Sequence, residues 1–374
     1  MKNIAILVPT LNKGGAERVA ANMSIEFSQY YNVYTVVHDG RDITYPYGGT
    51  LIDLKLPPAK TKLGKVLTML KRIRALRKIK KDHQIDVTIS HLPPSNYVNI
   101  FSRRKDSVFC YLHNMKSSPI REKFVSLFSD RFICVSECAR QNAVKSFGVS
   151  AEKAVTVYNF CDTEPPARTR QSDTIQLVNM GRLTEQKGQW HLLHAMKLVT
   201  DALGGRVHLK ILGDGENRKK LENLAASLGI SQYVTFAGFC DDPWPELVNS
   251  DIFVFSSLWE GLPMALVEAG RCGLPIISTD CDSGCREILA PDTPVNAKTN
   301  KIEHARYGVL VPIFTEGDQP QLTPTNEERI MADAILELCN NKQLRDSYAE
   351  KAKRRSEDFY SRSILDQWKT LIEE

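Results

Sequence analysis

Apolar and polar positions alternate regularly through the first half of the chain. Short runs rich in Val, Ile and Leu, typical of buried strands, are separated by stretches with the 3.6-residue apolar period of helices. Repeats of strand, helix and strand indicate a parallel sheet that is covered on both faces. The strands are predicted near residues 3–8, 32–37, 85–90, 107–112 and 131–135.

The same alternation begins again after a polar stretch that contains prolines. Residues 161–173 lose the apolar period, which predicts a linker between two domains. We therefore expect an α/β protein with two Rossmann-like domains, residues 1–160 and 174–356, whose carboxyl strand edges face a central cleft. The strands of the second domain are predicted near residues 175–180, 207–212, 234–237, 252–256, 275–279 and 308–311.

Two glutamates lie close to the start of a predicted helix in the second half. Pro263 suits the first turn of this helix, so the amides of Gly261 and Leu262 would lie at its N-terminus, a position that favours an anionic group. Glu260 and Glu268 are placed to accept hydrogen bonds from hydroxyl groups near it. This combination suits a phosphorylated sugar. The alternative is that Glu260 only favours the helix dipole and that Glu268 faces solvent.

Two cations lie in another strand-to-helix loop. Arg182 and Lys187 follow the predicted strand at 175–180 and precede a helix that begins near Gln189. Ligands usually bind at this carboxyl edge of a parallel sheet. Arg can grip a diphosphate through its planar fork and Lys as a point charge, and both would stabilise negative charge on a departing phosphate. The alternative is that each is a solvated loop charge.

These two motifs resemble the signature of glycosyltransferase family 4, the retaining nucleotide-sugar enzymes of the GT-B fold. The first is Gly-Arg-x4-Lys-Gly at 181–188, and the second is Glu-x7-Glu at 260–268 with Glu-Gly-Leu-Pro inside it. The resemblance extends over nearly the whole chain. It implies that both cations of the first motif stabilise the leaving diphosphate, that Glu260 holds sugar hydroxyls and that Glu268 holds the ribose.

The resemblance also assigns roles in the first domain. Gly14 and Gly15 open the first helix, and the resemblance places them against the phosphates or the sugar of the donor; an ordinary tight turn is the alternative. His113 stands at the end of a predicted strand and is expected to contact the transferring sugar; a structural histidine is the alternative. The terminal helix, residues 357–374, is expected to return to the first domain.

Other ligand classes fit the sequence less well. The loop that contains Gly14 and Gly15 lacks the Gly-x-Gly-x-x-Gly fingerprint of dinucleotide binding and is no Walker loop. Asp280-Cys281-Asp282 has the Asp-x-Asp pattern that holds a metal in another glycosyltransferase fold, but here it lies late in the second domain. We therefore expect no metal and no cofactor, with a nucleoside diphosphate sugar as the donor substrate.

The overall composition is that of a globular protein. The chain has 374 residues, of which 42% are hydrophobic, and no apolar run approaches the roughly 18 residues of a membrane span. Its first residues contain too short an apolar run for a signal peptide. The nine cysteines are an odd number and are scattered through predicted strands and helices, which indicates reduced thiols. We expect a cytoplasmic protein.

Positive charge is concentrated at residues 60–81, which contain ten Lys or Arg residues and no acidic residue. Apolar residues recur at helical spacing in the same segment, which predicts a basic amphipathic helix. One interpretation is a core helix with a solvated basic face. A second is docking on anionic membrane lipid or a lipid diphosphate, and a third is nucleic acid. We rank the membrane first, because no nucleic-acid motif accompanies the segment.

The sequence thus predicts a retaining glycosyltransferase of the bacterial surface-polysaccharide type. It would move a hexose or N-acetylhexosamine from a nucleoside diphosphate sugar, with UDP favoured, to a lipid-linked or surface glycan, at the inner face of the cell membrane. The alternative is a catalytically silent protein that binds a nucleotide sugar or a glycan. Residues 288–307 form an insertion that is either a flap near the donor or a surface loop.

Overall fold

The chain folds into two compact units. The computed structural model describes residues 1–12, 14–282, 284–314 and 323–374. Unit 1 comprises Met1–Phe160 and Ser361–Glu374, and unit 2 comprises Cys161–Tyr360. Each unit contains one seven-stranded sheet, counted over the described residues.

Strands and helices alternate along most of the chain. The strands are β1 (Asn3–Val8), β2 (Asn32–Val37), β3 (Thr50–Asp53), β4 (Val87–Ser90), β5 (Ser107–Leu112), β6 (Arg131–Cys134), β7 (Ala154–Thr156), β8 (Ile175–Met180), β9 (Val207–Leu212), β10 (Val234–Gly238), β11 (Ile252–Phe255), β12 (Ile276–Thr279), β13 (Glu303–His304) and β14 (Val309–Val311). The helices are α1 (Gly15–Phe27), α2 (Lys62–Asp82), α3 (Pro93–Phe101), α4 (Pro119–Phe128), α5 (Glu137–Lys145), α6 (Gln189–Leu203), α7 (Arg218–Ser227), α8 (Trp244–Val248), α9 (Met264–Arg271), α10 (Cys285–Leu289), α11 (Asn326–Asn340), α12 (Lys342–Ser356) and α13 (Ser361–Glu373).

The two sheets share one topology. In unit 1 the strand order is β3-β2-β1-β4-β5-β6-β7, with every neighbouring pair parallel. In unit 2 the order is β10-β9-β8-β11-β12-β14-β13, and only the pair of β13 and β14 is antiparallel among the described strands. Because parallel strands end at the same edge, each unit gathers its strand-to-helix loops along one side.

Every strand predicted from the apolar runs is present, within two residues of its predicted ends. The predictions missed β3, β7 and β13. All three lie at sheet edges, where one side of the strand lacks a neighbour and the sequence carries a weaker apolar pattern. The antiparallel β13 lies within the predicted insertion at 288–307, so that insertion contributes a strand to the sheet.

The last helix, α13, belongs to unit 1. Trp368 is fully buried there, and its ring centroid lies 5.5 Å from that of Phe27 and 6.0 Å from that of Tyr111. Burial of a tryptophan against two aromatic rings stabilises this docking through apolar area and ring contacts. The C-terminal helix is thus part of the hydrophobic core of the unit that contains the N-terminus.

The predicted linker, residues 161–173, contains neither strand nor helix and packs within unit 2. Arg168 and Arg170 both bind the carboxylate of Asp251, at 2.6 and 2.8 Å. The amide of Asn249 also accepts hydrogen bonds from the backbone of this segment through its oxygen. The segment is therefore attached to unit 2 rather than suspended between the units.

Helix α2 is the predicted basic helix, and its two halves differ. Leu63 and Leu70 in its first half are 72% and 42% exposed, and Val66 and Leu67 are also exposed. Leu76 in the second half is fully buried. The interpretation that the apolar face lies in the core is therefore wrong for the first half of the helix. None of the helices in the described ranges is both long enough and apolar enough to cross a bilayer.

A buried ion pair holds the second half of α2. Lys80 Nζ lies 2.8 Å from Asp106 Oδ2, and neither side chain is exposed. Lys80 also donates to the side chain and the backbone carbonyl of Asn99, and Thr88 donates its hydroxyl hydrogen to Asp106. Burial lowers the pKa of Lys80, while the neighbouring Asp106 opposes that shift. Removal of one partner of such a buried pair strongly destabilises the folded protein, because the other charge stays buried without compensation.

We predict that Lys80→Met lowers the free energy of unfolding by about 3–5 kcal/mol, because it leaves the Asp106 carboxylate buried without its cation. Urea denaturation followed by circular dichroism measures the change. The matched control is Lys78→Met on the same helix, where the ammonium is exposed and its partner Asp82 is on the surface. Equal midpoints for the two variants would contradict the importance of the buried pair.

Candidate functional site

Four strand-to-helix loops lie side by side at the carboxyl edge of the unit 2 sheet. They follow β9, β8, β11 and β12, which are neighbours in that order. This edge is where ligands bind in open α/β sheets. The described residues of these loops are 213–217, 181–188, 256–263, and 280–282 with Gly284.

An ion pair joins the two motifs that the sequence singles out. Lys187 Nζ lies 2.5 Å from Glu260 Oε1, and both side chains are largely buried. Gln186 donates its amide hydrogens to the carbonyl of Trp259 at 2.8 Å and to the second carboxylate oxygen of Glu260 at 3.2 Å. The loops after β8 and β11 are therefore connected through charged and neutral hydrogen bonds, and both oxygens of Glu260 have donors.

The backbone of the Lys187 loop is fixed against the end of β11. Ser256 donates its hydroxyl hydrogen to the carbonyl of Lys187 at 2.8 Å, and the Leu258 amide donates to the carbonyl of Gln186 at 2.8 Å. Gly188 has φ +56°, and a Cβ there would lie 2.4 Å from the carbonyl oxygen of Ser256. Only glycine combines that conformation with so close an approach. The Lys187 ammonium also lies 5.3 Å from the ring centre of Phe255.

Arg182 lies in the same loop with its side chain exposed. Its backbone carbonyl accepts from the side-chain amide of Gln189 at 3.1 Å. The neighbouring loop after β9 packs closely here, since a Cβ on Gly215 would lie 2.5 Å from the carbonyl oxygen of Leu183. The Leu183 amide donates to the carbonyl of Asp214 at 3.0 Å. Among the described residues, the contacts that position Arg182 are those of its backbone.

The Glu260-x7-Glu268 motif leads into α9. Its N-cap is Pro263, one residue earlier than the predicted first-turn position. Glu260 is 7% and Glu268 is 5% exposed, so the alternative that Glu268 faces solvent is wrong. The carbonyl of Gly261 accepts from the Gly284 amide at 3.0 Å, and a Cβ on Gly284 would lie 2.6 Å from the Leu262 side chain. Gly261 and Leu262 therefore lie against the loop after β12.

Both carboxylates of the Asp-x-Asp sequence at 280–282 form ion pairs with cationic side chains. Arg286 binds both oxygens of Asp280, at 3.1 and 2.6 Å, and Lys298 lies 2.8 Å from Asp282. Burial disfavours the charged guanidinium, but the hydrogen bonds that it donates to Glu303 and Asp280 raise the pKa of Arg286 above its usual value. Within the described ranges no group of three His, Cys, Asp or Glu side chains has the arrangement of a metal site.

Arg286 also explains how the insertion at 288–307 is held. Its guanidinium pairs with Glu303 at 2.8 Å and donates to the hydroxyl of Thr293 at 3.0 Å. Lys298 donates to the carbonyl of Asp280 at 2.8 Å. The insertion is thereby tied to the end of β12, beside the loop that contacts Gly261. The sequence did not reveal Arg286 or Gln186 as site residues, because Arg286 lies outside the two motifs and Gln186 occupies one of the unspecified positions of the first.

In unit 1, Gly14 and Gly15 lie where β1 passes into α1. Gly14 is the N-cap of the helix, with extended backbone, and Gly15 is its first residue. A Cβ on Gly15 would meet no atom within 4 Å, whereas one on Gly14 would lie 2.0 Å from a carboxylate oxygen of Glu17. The space beside Gly15 is compatible with the close approach of a ligand.

His113 directly follows β5 and has a partner that the sequence analysis missed. Its Nε2 lies 2.9 Å from Nδ1 of His91, which follows the adjacent strand β4 and is fully buried. Burial lowers the pKa of His113 to about 3 and the pKa of His91 well below its usual value. Both residues follow apolar strands that pair with each other, and that shared position was the signal available in the sequence.

Two family descriptions match the chain. "Glycosyl transferases group 1" matches residues 162–355, and "Glycosyltransferase Family 4" matches residues 13–165. Together they extend over most of both units. The first match contains the four loops at the carboxyl edge of the unit 2 sheet.

Individual proteins show the same similarity. An uncharacterized glycosyltransferase of Methanocaldococcus jannaschii is 39% identical over 205 residues, which is 54% of this chain and 50% of that protein, so the chain spans half the length of this relative. The N-acetylgalactosamine-N,N'-diacetylbacillosaminyl-diphospho-undecaprenol 4-alpha-N-acetylgalactosaminyltransferase of Campylobacter jejuni is 25% identical over 383 residues, 96% of each chain.

Among solved structures, Anabaena HepE in complex with UDP-glucose is similar, with a TM-score of 0.78, 18% identity and 100% of each chain covered. An identity this low shows similarity of fold. The strand orders of both units and this match confirm the expected GT-B type of fold.

We predict that Gly188→Ala destabilises unit 2 more than Gly229→Ala does. Both glycines have positive φ, +56° and +69°, so both substitutions place alanine in a backbone conformation that L residues rarely adopt, at a cost of about 1–2 kcal/mol. Of the two, only Gly188 would bring the new Cβ against a backbone oxygen, whereas a Cβ on Gly229 would meet no atom within 4 Å. Urea unfolding of both variants measures the difference, and equal losses would show that the Lys187 loop adjusts freely.

Proposed function

The chain belongs to the family of group 1 glycosyl transferases, and we propose from this that it is a retaining enzyme acting on a nucleoside diphosphate sugar. It moves a hexose or N-acetylhexosamine, with UDP as the favoured nucleotide, to a lipid-linked or surface glycan. The observation that carries the proposal is the ion pair between Lys187 and Glu260 at the carboxyl edge of the unit 2 sheet.

The charges of this edge suit a sugar diphosphate. Lys187 and Arg182 would bind the diphosphate and stabilise the negative charge that develops on it as it leaves. The N-terminus of α9, which begins at Met264 and is directly preceded by Gly261, Leu262 and Pro263, would favour the same charge. Glu260, which already accepts hydrogen bonds from Lys187 and Gln186, would orient sugar hydroxyls.

Glu268 is proposed to bind the ribose. Its carboxylate is buried on α9, eight residues after Glu260 in the chain, and a buried carboxylate requires hydrogen-bond donors such as hydroxyl groups. For unit 1, the assignment of Gly14, Gly15 and His113 to donor contacts rests on the family resemblance, and the open space beside Gly15 is compatible with it.

The reaction requires no covalent enzyme intermediate. The bond between the anomeric carbon and the phosphate oxygen breaks, and its electron pair leaves with the diphosphate. The acceptor oxygen bonds to the anomeric carbon on the same face, and its proton passes to a donor phosphate oxygen. Lys187 and Arg182 lower the barrier by preorganised positive charge. A metal is not required in this proposal, which the ion pairs of Asp280 and Asp282 with Arg286 and Lys298 support.

The proposed donor and acceptor are inferred from the proteins to which the chain is similar. HepE binds UDP-glucose in its solved complex, which favours UDP here. The name of the Campylobacter relative describes transfer to a diphospho-undecaprenol-linked sugar, which favours a lipid-linked acceptor. The exposed leucines and cations of the first half of α2 suit contact with an anionic membrane surface.

We predict that UDP stabilises the protein against heat, while GDP, ADP and NAD do not. A ligand at 100 times its dissociation constant adds about 2.7 kcal/mol of stability. Glu268→Ala should reduce the UDP shift, because it removes the ribose partner. Arg182→Ala and Lys187→Ala should lower turnover of UDP-hexose or UDP-N-acetylhexosamine by about 10²–10³-fold, since each removes charge stabilisation of the leaving group.

The matched control for these cation variants is Lys197→Ala, on α6 of the same unit, where the ammonium pairs with Asp201 at the surface. It should retain both the UDP shift and turnover. Stabilisation by UDP without transfer to any tested glycan would favour the silent binding protein. A shift with NAD alone would contradict the assigned site, and turnover that excess chelator abolishes and manganese restores would contradict the metal-free reaction.

We predict that the protein binds anionic vesicles at low salt through α2 and binds neutral vesicles weakly. Replacement of Lys62, Lys65, Lys71 and Arg74 by Gln should weaken binding by about 10³-fold, since each basic residue near an anionic surface contributes about 1 kcal/mol. Vesicle co-sedimentation measures the affinity.

The control has four exposed cations of α12 replaced by Gln, namely Lys342, Lys351, Lys353 and Arg354, so that the total charge is the same. This control should bind anionic vesicles like the unmodified protein. Equal binding of the unmodified protein to neutral and anionic vesicles would exclude the electrostatic contact.

A further inference from the structure

His113 and His91 share one hydrogen bond between two neutral rings. Nε2 of His113 and Nδ1 of His91 are 2.9 Å apart, a hydrogen-bond distance. Burial lowers both pKa values far enough that neither ring is charged at neutral pH. Each neutral imidazole carries one hydrogen, so one of these two nitrogens donates and the other accepts.

The surroundings of His91 decide which nitrogen donates. Nε2 of His91 is buried and has no hydrogen-bond partner among the described residues. If His113 were the donor, the hydrogen of His91 would have to lie on this Nε2, as a buried N–H without an acceptor. Buried N–H groups without acceptors are rarer than unsatisfied acceptors. The favourable arrangement therefore has His91 donating from Nδ1, with Nε2 of His91 carrying no hydrogen.

The pair is held rigidly by the strands that carry it. Asn96 on α3 donates to the carbonyl of Tyr111 at 3.1 Å and accepts from Ser90 at 2.8 Å, so it connects the ends of β4 and β5. The Tyr111 ring stacks on both imidazoles, with centroid distances of 4.6 Å to His91 and 4.7 Å to His113. These contacts fix the planes of the two rings.

The backbone after His91 is also constrained. Leu92 has φ +70°, a conformation that costs a non-glycine residue free energy and persists only where its surroundings enforce it. Pro93 then begins α3. The position of His91 is thus determined from three sides, by the sheet, by Asn96 and by this turn.

We propose that His91 is a positioning residue that fixes the tautomer of His113, so that His113 presents Nδ1–H as a hydrogen-bond donor and does not act as a proton acceptor. His113 itself is only partly buried, so a ligand oxygen can reach it. The tautomer follows from the geometry of unit 1 alone. The identity of the accepting oxygen, a hydroxyl or phosphate oxygen of the sugar donor, rests on the proposed function.

The test is nuclear magnetic resonance of the full chain labelled with ¹⁵N-histidine, using long-range couplings between ring nitrogens and carbon-bound hydrogens at pH 7. His113→Asn identifies the His113 signals by their loss. We expect His113 to carry its hydrogen on Nδ1. A hydrogen on Nε2 of His113, or a doubly protonated ring, would overturn the proposal, whatever the protein catalyses.

Two nearly isosteric substitutions separate the hydrogen bond from packing. His91→Asn places an amide donor close to the position of Nδ1 and should keep the Nδ1–H tautomer of His113. Leucine at position 91 has a similar shape without a donor, so His91→Leu should allow His113 to adopt the Nε2–H tautomer. The same tautomer in both variants, with both folded by circular dichroism, would show that His91 does not control it.

Once the sugar donor is identified, enzyme kinetics provides a further test of His91. His91→Leu should lower kcat/KM about tenfold, the effect of one misdirected hydrogen bond, while His91→Asn stays within about threefold of the unmodified protein. Equal kcat/KM for His91→Leu and the unmodified protein would contradict a role for the tautomer in catalysis. A chain with the expected tautomer but no transfer activity would instead overturn the proposed function and leave the role of His91 intact.

Discussion

The ion pair of Lys187 and Glu260 is the interaction on which the proposed site depends. Neither residue could hold its position alone at this edge, because an isolated buried charge is costly and would recruit water or lose its proton. As a pair, with Gln186 binding the second oxygen of Glu260, they keep a cation and a carboxylate in place before any ligand arrives. Such preorganisation is how a protein stabilises charge in a transition state without reorganising.

The rest of unit 2 makes this pair possible. β8 and β11 are hydrogen-bonded neighbours, so the loops that follow them leave the sheet side by side. Glycines at 188 and 215 let backbones approach each other where a Cβ would collide with a carbonyl oxygen. Arg286 joins Asp280 at the end of β12 to Glu303 of the insertion, and the loop after β12 contacts Gly261. The chemistry of the edge therefore rests on neutral backbone contacts as much as on charge.

Much of this could be predicted from the sequence, and the limits have physical causes. The apolar runs identified the central strands because buried parallel strands are continuously hydrophobic, whereas edge strands such as β3 are not. The motifs identified Lys187 and Glu260, but their contact depends on strand order, which periodicity does not encode. Helical spacing predicted α2 but not that Leu63 would be exposed, since spacing defines a face and not what covers it. The partnership of His91 with His113 depends on ring orientation, which no local pattern specifies.

The most direct test of the central claim is a double-mutant cycle on UDP affinity, measured by calorimetric titration of the unmodified protein, Lys187→Met, Glu260→Gln and the double variant. The account predicts that Lys187→Met weakens UDP binding by about tenfold or more and that the losses are not additive, because the two side chains act as one unit. Unchanged UDP affinity in Lys187→Met, or strictly additive effects, would contradict it.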